Sequence, residues 1–411
     1  MAIDRKTTSG RPGATRRQFL LGGAVAGVGA AAAIGVDLAA QATSGSQGVD
    51  AAAPKPLNGD EIVPFYGAHQ AGIDTDAQAH AVFLALTLKE GINRAGLARM
   101  MRVLTDDAAR LTQGEAALAD SEPELSGSPA RLTVTFGFGP AFVARAQGVA
   151  PAWLALLPAF GIDQLRPEFS DGDLLVQIAS DDPLTVSHAA RMLLKDSRSF
   201  ATLRWSQNGV RRAHGTVAPG TTMRNLFGQV DGTTNPTPGT SDFDAVVWNG
   251  EGWMSGGTGA VVSRIHMNLD KWDRLDRSGR DQSVGRLQSN GAPLTGTDEF
   301  DEPDFEAKTA IGFPIIPEFS HLRRARSENP AERIFRRGYN YDEAPAAGQI
   351  SDSGLIFVSF QADIERQFTP IQRRLDELDL LNEWTTPIGS AVFAMPPGCQ
   401  PGGFIGDTLL S

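Results

Sequence analysis

The order in which apolar runs and amphipathic stretches follow one another constrains this chain more than any other feature. In the first half, apolar or alternating runs of strand length enclose two stretches with helical spacing of apolar residues. The second stretch follows Asp181-Asp182, a carboxylate cap with a proline in the first turn, which is typical of a helix start. The order is strand, helix, strand, strand, helix, strand, at 81–88, 94–111, 131–136, 174–178, 183–194 and 201–207.

The second half repeats this plan. Its apolar strands and helical spacings lie at 260–268, 269–275, 355–360, 370–381 and 390–395. Two such β-α-β-β-α-β units predict an α+β chain with duplicated ferredoxin-like halves, which we place at 61–215 and 216–411. The long segment 276–319 shows no periodicity, and its acidic part, 298–304, is interpreted as a solvated loop.

Length and composition are compatible with this plan. A chain of 411 residues that is 41% hydrophobic can bury one large or two ordinary cores. The formal charge is −11, with no polybasic tract outside the N-terminus, which argues against nucleic-acid binding as the main function. The single cysteine, Cys399, excludes an internal disulfide framework and is expected to be a small buried residue.

The N-terminal residues have the pattern of an export signal. Arg16-Arg17 precede an uncharged Gly/Ala-rich run at 18–36, and Ala40-Gln41-Ala42 offers a cleavage site. The run is long enough to span a bilayer, so an uncleaved anchor is the alternative, but its weak apolarity favours cleavage. We therefore expect a twin-arginine signal peptide at 1–42 and a flexible linker at 43–60. The mature protein, of formal charge −14, would be periplasmic or extracellular and would meet the membrane only during export.

The stretch 320–342 carries one histidine, His321, among six arginines. Neither a cysteine nor a second histidine accompanies it, so a zinc or iron–sulfur cage has too few ligands. A lone imidazole can serve as the single axial ligand of a haem iron, and guanidiniums suit carboxylates such as haem propionates. A solvated basic turn is the alternative. The arginines are Arg323, Arg324, Arg326, Arg333, Arg336 and Arg337.

A second stretch, 224–236, reads RNLFGQVDGTTNP and contains the pattern GxxDG from Gly228 to Gly232. Together with His321 and Arg336 in RIFRRGY, it resembles the dye-decolourising-type haem peroxidases. GxHQxGI at 67–73 is similar to the start of the subgroup that has exported and deferrochelatase-like members. The resemblance implies the dimeric α+β barrel-like peroxidase fold, one haem b per chain and a homodimer.

The resemblance also implies the roles of individual residues. His321 matches the proximal iron ligand, Asp231 the distal acid–base residue, and Arg336 the arginine that stabilises charge on the departing oxygen. Arg286 and Arg336 are candidates to contact a propionate or the distal pocket. Asn329 and Pro330 lie farther from His321 than the family pattern predicts, which leaves the contacts of Asn329 open. The residues implied to bind the cofactor are Gly232, Thr233, Thr234, Arg286, His321, Asn329, Pro330 and Arg336.

The residues themselves allow peroxide chemistry. Cleavage of H2O2 needs a positioned acid–base group to move a proton from one oxygen to the other. No histidine lies near GxxDG, and Asp231 is the only titratable side chain within the motif. An aspartate has an ordinary pKa of about 3.9, so we expect an acidic optimum for dye oxidation. Taken alone, Asp231-Gly232 could equally be a turn.

Other residues compete for these roles. His266, in the middle of a predicted strand, is the main rival ligand, and His214 lies outside any matched motif. Tyr339, Tyr341 and Trp384 could relay electrons to bulky reductants at the surface, with ordinary packing as the alternative for each.

We therefore expect a haem b peroxidase that uses H2O2 to oxidise dyes, phenolics or similar reductants. A deferrochelatase-like protein that releases iron from haem, and a non-catalytic haem-binding module, remain the alternatives.

Overall fold

The computed structural model describes residues 57–411, so the predicted signal peptide and most of the predicted linker lie outside the described residues. This part contains nine strands and nine α-helices, with short 3-10 and π-helical turns between them. The strands are β1 His80–Leu88, β2 Thr133–Phe138, β3 Leu174–Ser180, β4 Ala201–Val210, β5 Thr258–Met267, β6 Phe335–Arg336, β7 Tyr339–Glu343, β8 Asp352–Gln361 and β9 Thr385–Met395. The helices are α1 Arg94–Thr112, α2 Pro140–Arg145, α3 Pro183–Ser197, α4 Ser241–Val247, α5 Leu269–Trp272, α6 Arg277–Val284, α7 His321–Ala325, α8 Thr369–Leu378 and α9 Asp407–Leu410.

The strands form one antiparallel sheet that closes on itself. The N-terminal half has the order β4-β1-β3-β2, and the C-terminal half has the equivalent order β9-β5-β8-β7. The halves join where Phe138 pairs with Ala394 and where Val210 pairs with Asn340. Two ferredoxin-like halves in one closed barrel confirm the predicted fold class. Strand β7, which the sequence analysis did not identify, completes the second half.

The burial of β1 shows why the strands are continuous apolar runs. Phe83 and Ala85 pack inside the barrel, whereas Val82, Leu84 and Leu86 pack on the opposite face in the cluster that includes α1 and α3. Since both faces are covered, the strand needs no polar side. Full burial of each large side chain stabilises the fold by about 1.5–3 kcal/mol.

The two long helices of the first half begin at capping residues. The Asn93 side chain accepts a hydrogen bond from the Gly96 amide at 3.0 Å, and Asp182 accepts one from the Leu184 amide at 3.1 Å. Pro183 follows Asp182 as the first residue of α3, which confirms the predicted cap. Within residues 57–411, no helix is both long and apolar enough to cross a membrane.

Two segments differ from expectation. Helix α6 lies in the stretch predicted to lack periodic structure. It forms there because Asp276 caps its start, and it ends at Gly285, which adopts the left-handed region with a φ of 84°. Its residues are mostly polar, so no apolar periodicity marks it. At the N-terminus, Asn58–Asp60 form a 3-10 turn in which the Gly59 carbonyl accepts from the Ala130 amide at 3.0 Å. The last residues of the predicted linker therefore already pack on the folded part.

Candidate active site

His321 begins α7 and is held by a carboxylate from a distant part of the chain. Its Nδ1 donates to Oδ2 of Asp379 at 2.6 Å, and the Asp379 side chain is only 3% exposed. Burial disfavours the charged imidazole, but the negative charge of Asp379 and this hydrogen bond outweigh it and raise the pKa of His321. With Nδ1 engaged, Nε2 is the ring nitrogen left to bind a ligand. Histidines that bind metals through one ring nitrogen usually donate the N–H of the other ring nitrogen to such a carboxylate.

The packing of α7 on α8 places this pair. Nε of Arg324 donates to the Arg374 carbonyl at 3.0 Å, and Nε of Arg374 donates to the Arg324 carbonyl at 3.2 Å. Asp379 directly follows α8, so the same contact positions its carboxylate. A Cβ at Gly285 would lie 3.0 Å from Oγ of Ser320, and glycine there lets the end of α6 lie against α7.

Asp231 and Arg336, 105 positions apart, form an ion pair. Nη1 of Arg336 donates to Oδ1 of Asp231 at 2.9 Å, and the two side chains are 26% and 19% exposed respectively. Beyond burial and Asp379, the charges of Arg336 and Asp231 also act on the pKa of His321, in opposite directions. The structure thus pairs the two predicted catalytic residues, and the charges of both act on the predicted iron ligand. The pair lines a small cavity together with Met223, Gly338, Leu355 and Phe357.

Strand β8 separates this cavity from the barrel interior. Ile356 and Val358 point into the barrel core, whereas Leu355 and Phe357 on the opposite face line the cavity. The charged pair therefore stands beside an apolar wall.

Asn235 positions the backbone of Arg336. Its Nδ2 donates to the Arg336 carbonyl at 2.7 Å, and its Oδ1 accepts from the Arg336 amide at 3.0 Å. No motif in the sequence predicts a role for Asn235, although it lies in the stretch 224–236, four residues after Asp231. The stretch therefore supplies both the carboxylate and the residue that orients its arginine partner.

The loop after Asp231 is anchored by an acidic residue. Gly232 is half-buried with a φ of 127°, which glycine adopts without strain. Oγ1 of Thr233 donates to Oε1 of Glu299 at 2.9 Å, and Oγ1 of Thr222 donates to the same oxygen at 2.6 Å. Thr234 is exposed. Glu299 belongs to the acidic segment interpreted as a solvated loop, so that interpretation was wrong for this residue.

Arg286 is a buried cation beside this loop. Its side chain donates from Nη1 to the carbonyls of Gly291 and Glu299, at 2.7 and 2.9 Å. Burial lowers the pKa of Arg286, and Arg336 lowers it further, while the charge of Glu299 opposes both. All hydrogen bonds that this guanidinium forms in the described part of the chain use Nη1. Its other nitrogens can therefore serve an anion.

Four predicted or rival residues lie elsewhere. Asn329 and the following proline are exposed in a turn, where Oδ1 of Asn329 accepts from the Ala331 amide at 3.1 Å. The structure does not bring them to the cavity, and their contact with a cofactor stays a prediction. His266 lies 3.8 Å from the half-exposed Asp352. His214 lies 3.3 Å from Asp181 in the first half of the fold.

The aromatic residues considered as relays are packed. Tyr339 and Tyr341 are at most 1% exposed inside the barrel, and burial raises the pKa of Tyr341 to about 12. Trp384 packs edge-on against Trp272, with ring centroids 5.2 Å apart. Ordinary packing accounts for these contacts, and a relay role stays a prediction.

The donor set fits a haem better than a metal ion held by the protein alone. Within residues 57–411, no group of three or more His, Cys, Asp or Glu side chains could hold a metal ion. A single imidazole with a free Nε2 suits the axial position of a haem iron. Arg286 offers guanidinium nitrogens to a carboxylate, and the wall formed by Leu355 and Phe357 suits an apolar macrocycle.

Two family models match this chain, one for each half of the fold. Residues 70–211 match the model described as Dyp-type peroxidase, N-terminal, and residues 222–400 match Dyp-type peroxidase, C-terminal. The fold and the site define an oxidoreductase of the peroxidase class, acting on peroxide.

Relatives of similar length support the same assignment. The dye-decolorizing peroxidase of Thermobifida fusca (strain YX) is 34% identical over 97% of this chain and 98% of that protein. The deferrochelatase of Escherichia coli (strain K12) is 34% identical over 87% and 90%. A crystal structure of a DyP-type peroxidase from Cellulomonas bogoriensis is 50% identical, with a TM-score of 0.84, and covers 87% of this chain and 100% of that one. The chain belongs to the Dyp-type peroxidase family.

Proposed function

We propose that this protein is a haem b peroxidase that uses H2O2 to oxidise dyes, phenolic compounds or similar reductants. The observation that carries the proposal is the presence of two paired groups, His321 with Asp379 and Asp231 with Arg336. Their charges are close enough to influence one another. The first pair would supply the iron ligand, and the second would supply an acid–base group with a fixed cation.

The cofactor would be held by groups of three kinds. Nε2 of His321 would bind the iron, and Arg286 and Arg336 would contact a propionate or the distal pocket. Haem, when bound, supplies an iron centre that exchanges electrons with peroxide and with reductants. The residues proposed to line it are Gly232, Thr233, Thr234, Asn329 and Pro330.

Asp231 and Arg336 would divide the work of peroxide cleavage. The Asp231 carboxylate would take a proton from one peroxide oxygen and deliver it to the other, so that the second oxygen leaves as water. The guanidinium of Arg336 keeps its positive charge throughout and would stabilise negative charge on the departing oxygen. General acid–base catalysis of this kind contributes about 10²–10⁴-fold in rate.

Asp379 would act through His321. By accepting from Nδ1 it fixes the ring orientation and the tautomer, which leaves the Nε2 lone pair for the iron. The negative charge also makes the imidazole a stronger donor. Asp379 is in this sense a positioning residue.

A second candidate function is deferrochelatase-like release of iron from haem, which is favoured by a relative of that name at 34% identity. It predicts a metal-free tetrapyrrole product without peroxide. A non-catalytic haem-binding module would bind haem and give no spectral response to peroxide.

We also propose that the protein is exported by the twin-arginine route to the periplasm or the exterior. We further propose that it assembles as a homodimer. Fractionation of cells that express wild type or an Arg16→Lys, Arg17→Lys variant tests export. Retention of the variant inside the cell is expected, and equal export of both would contradict the route. Mass measurement in solution tests the dimer.

The visible spectrum of the purified protein, before and after one equivalent of H2O2, tests the function. Wild type is expected to show a Soret band that shifts with peroxide. His321→Ala should lose or alter the band, whereas the matched variant His266→Ala should keep it. Absence of a Soret band in wild type after haem reconstitution would contradict the proposal. A band inert to peroxide would favour the second or third candidate.

A further inference from the structure

Met223 differs from the other methionines of the described residues in its exposure. Residues 57–411 contain seven methionines, and six of them are at most 2% exposed, whereas Met223 is only partly buried. Solvent-borne oxidants therefore reach one thioether in this part of the chain far more easily than the rest. The six buried methionines are Met100, Met101, Met192, Met254, Met267 and Met395.

Met223 also lines the cavity assigned to peroxide. Met223 and Asp231 are bonded across a short antiparallel bridge, in which the Asp231 amide donates to the Met223 carbonyl at 2.8 Å. Both residues line the same cavity as Arg336. A peroxide molecule placed between Asp231 and Arg336 would therefore share its cavity with this sulfur atom.

We propose that Met223 is a modification site, at which peroxide oxidises the thioether to a sulfoxide and so limits the life of the enzyme when reductant is scarce. The inference rests on the proposed function, because that function brings peroxide into the cavity.

The chemistry balances without a further reactant. A sulfur lone pair attacks one oxygen of H2O2, the S–O bond forms, and the O–O bond breaks. The sulfur loses two electrons, and the peroxide is reduced by two. The oxygen that bonds to sulfur gives up its proton to the Asp231 carboxylate, which delivers a proton to the departing oxygen, and the departing oxygen leaves as water. Arg336 stabilises the charge of the departing oxygen, as in the proposed peroxidase reaction.

The product would change the cavity electrostatically. A sulfoxide oxygen is a hydrogen-bond acceptor, and oxidation makes the side chain polar beside the apolar Leu355 and Phe357. The donor among the cavity side chains is the guanidinium of Arg336, which now donates to Asp231. The sulfoxide would compete for this donor and weaken the Asp231–Arg336 pair.

The test uses the haem-loaded protein exposed to H2O2 without reductant, with peptide mass spectrometry and residual activity followed together. The expected result is a mass gain of one oxygen at Met223 that grows as activity falls, while the six buried methionines stay unmodified. Met223→Leu, which conserves volume, should lose activity several-fold more slowly relative to its own initial rate. The matched variant Met192→Leu should be inactivated like wild type.

A second variant tests whether Met223 is oxidised because of the groups in the cavity or because of its solvent exposure alone. In Arg336→Leu, oxidation of Met223 should slow, because the group that stabilises the departing oxygen is gone. An unchanged oxidation rate in this variant would show that exposure alone is responsible and would overturn the inference. Loss of wild-type activity with Met223 unmodified would overturn it too. If the Soret band responds to peroxide in that case, the proposed function stands and only the inference fails. A band without any response removes both.

Discussion

His321 and Asp379 are 58 residues apart in the chain, yet Nδ1 of the imidazole lies 2.6 Å from the buried carboxylate. The contact exists because α7 packs on α8 and Asp379 directly follows α8. It raises the pKa and fixes the orientation of the histidine that we propose as the haem ligand.

Replacement of Asp379 by Asn should weaken haem binding. The amide oxygen can still accept from Nδ1, but the negative charge is lost, so the imidazole becomes a poorer donor. We expect the Kd for haem to rise about 10–100-fold, measured by titration of the apoprotein in the Soret region. Glu377→Gln is the control. Glu377 lies near the end of α8, is exposed and pairs with Arg324, so this variant should bind haem as wild type does. Equal affinities of wild type and Asp379→Asn would exclude the assigned role.

Replacement of Asp231 by Asn should slow the reaction with peroxide. The amide cannot carry the proton between the two oxygens, so the rate of the peroxide-induced Soret change should fall by about 10²–10⁴-fold in stopped-flow experiments. Haem content should not change. Asp242→Asn is the matched control, because Asp242 also pairs with an arginine, Arg333, at 2.7 Å but on the surface. A wild-type rate in Asp231→Asn would assign the proton transfer to another group.

Replacement of Asn235 by Ala should disorder Arg336. Two hydrogen bonds to the Arg336 backbone are lost, which should cost about 1–3 kcal/mol of the free energy of unfolding. We expect kcat/KM for peroxide to fall while haem affinity is kept, and we expect Asn235→Asp, which can still accept from the Arg336 amide, to recover part of the rate.

The control for this prediction is Asn249→Ala. Asn249 also bonds two backbone groups, the Ala362 carbonyl at 3.3 Å and the Glu251 amide at 2.8 Å. This variant should lose stability and keep the peroxide kinetics. If both variants behaved alike, the role of Asn235 would be structural only.

Asp196 should make stability depend on pH between about 4 and 7. Burial, followed by the hydrogen bond and charge of Asp107, raises the pKa of Asp196 to about 7. In this window the native protein holds a proton that the unfolded chain has released, so the free energy of unfolding declines as the pH rises.

Asp196→Asn cannot ionise, and its stability relative to wild type should therefore increase from pH 4 to pH 7 and then level off. Denaturant unfolding at several pH values measures this. Asp106→Asn, which removes a half-exposed carboxylate of the neighbouring helix, should show no such trend. A wild-type profile that stays parallel to that of Asp196→Asn would contradict the raised pKa.

The sequence by itself determined the fold class and the proposed iron ligand. Apolar runs such as 81–88 and helical spacing such as 94–111 are local patterns, and they predict strands and helices because the period of each element is fixed by backbone geometry. His321, Asp231 and Arg336 were found because short motifs carried them. Strand β7 and helix α6 were not predicted, since neither contains a long apolar pattern.

Only the tertiary structure decided which residues hold His321, Arg336 and the loop after Asp231 in place. Asp379 reaches His321 through the packing of two helices, Asn235 reaches Arg336 across 101 positions, and Glu299 reaches Thr233 across 66. A side-chain hydrogen bond between distant segments leaves no periodicity in the chain, because it depends on how the elements pack and not on local conformation. Met223 lies beside Asp231 through a local bridge, but the cavity that both line with Arg336, Leu355 and Phe357 forms only when distant segments pack together.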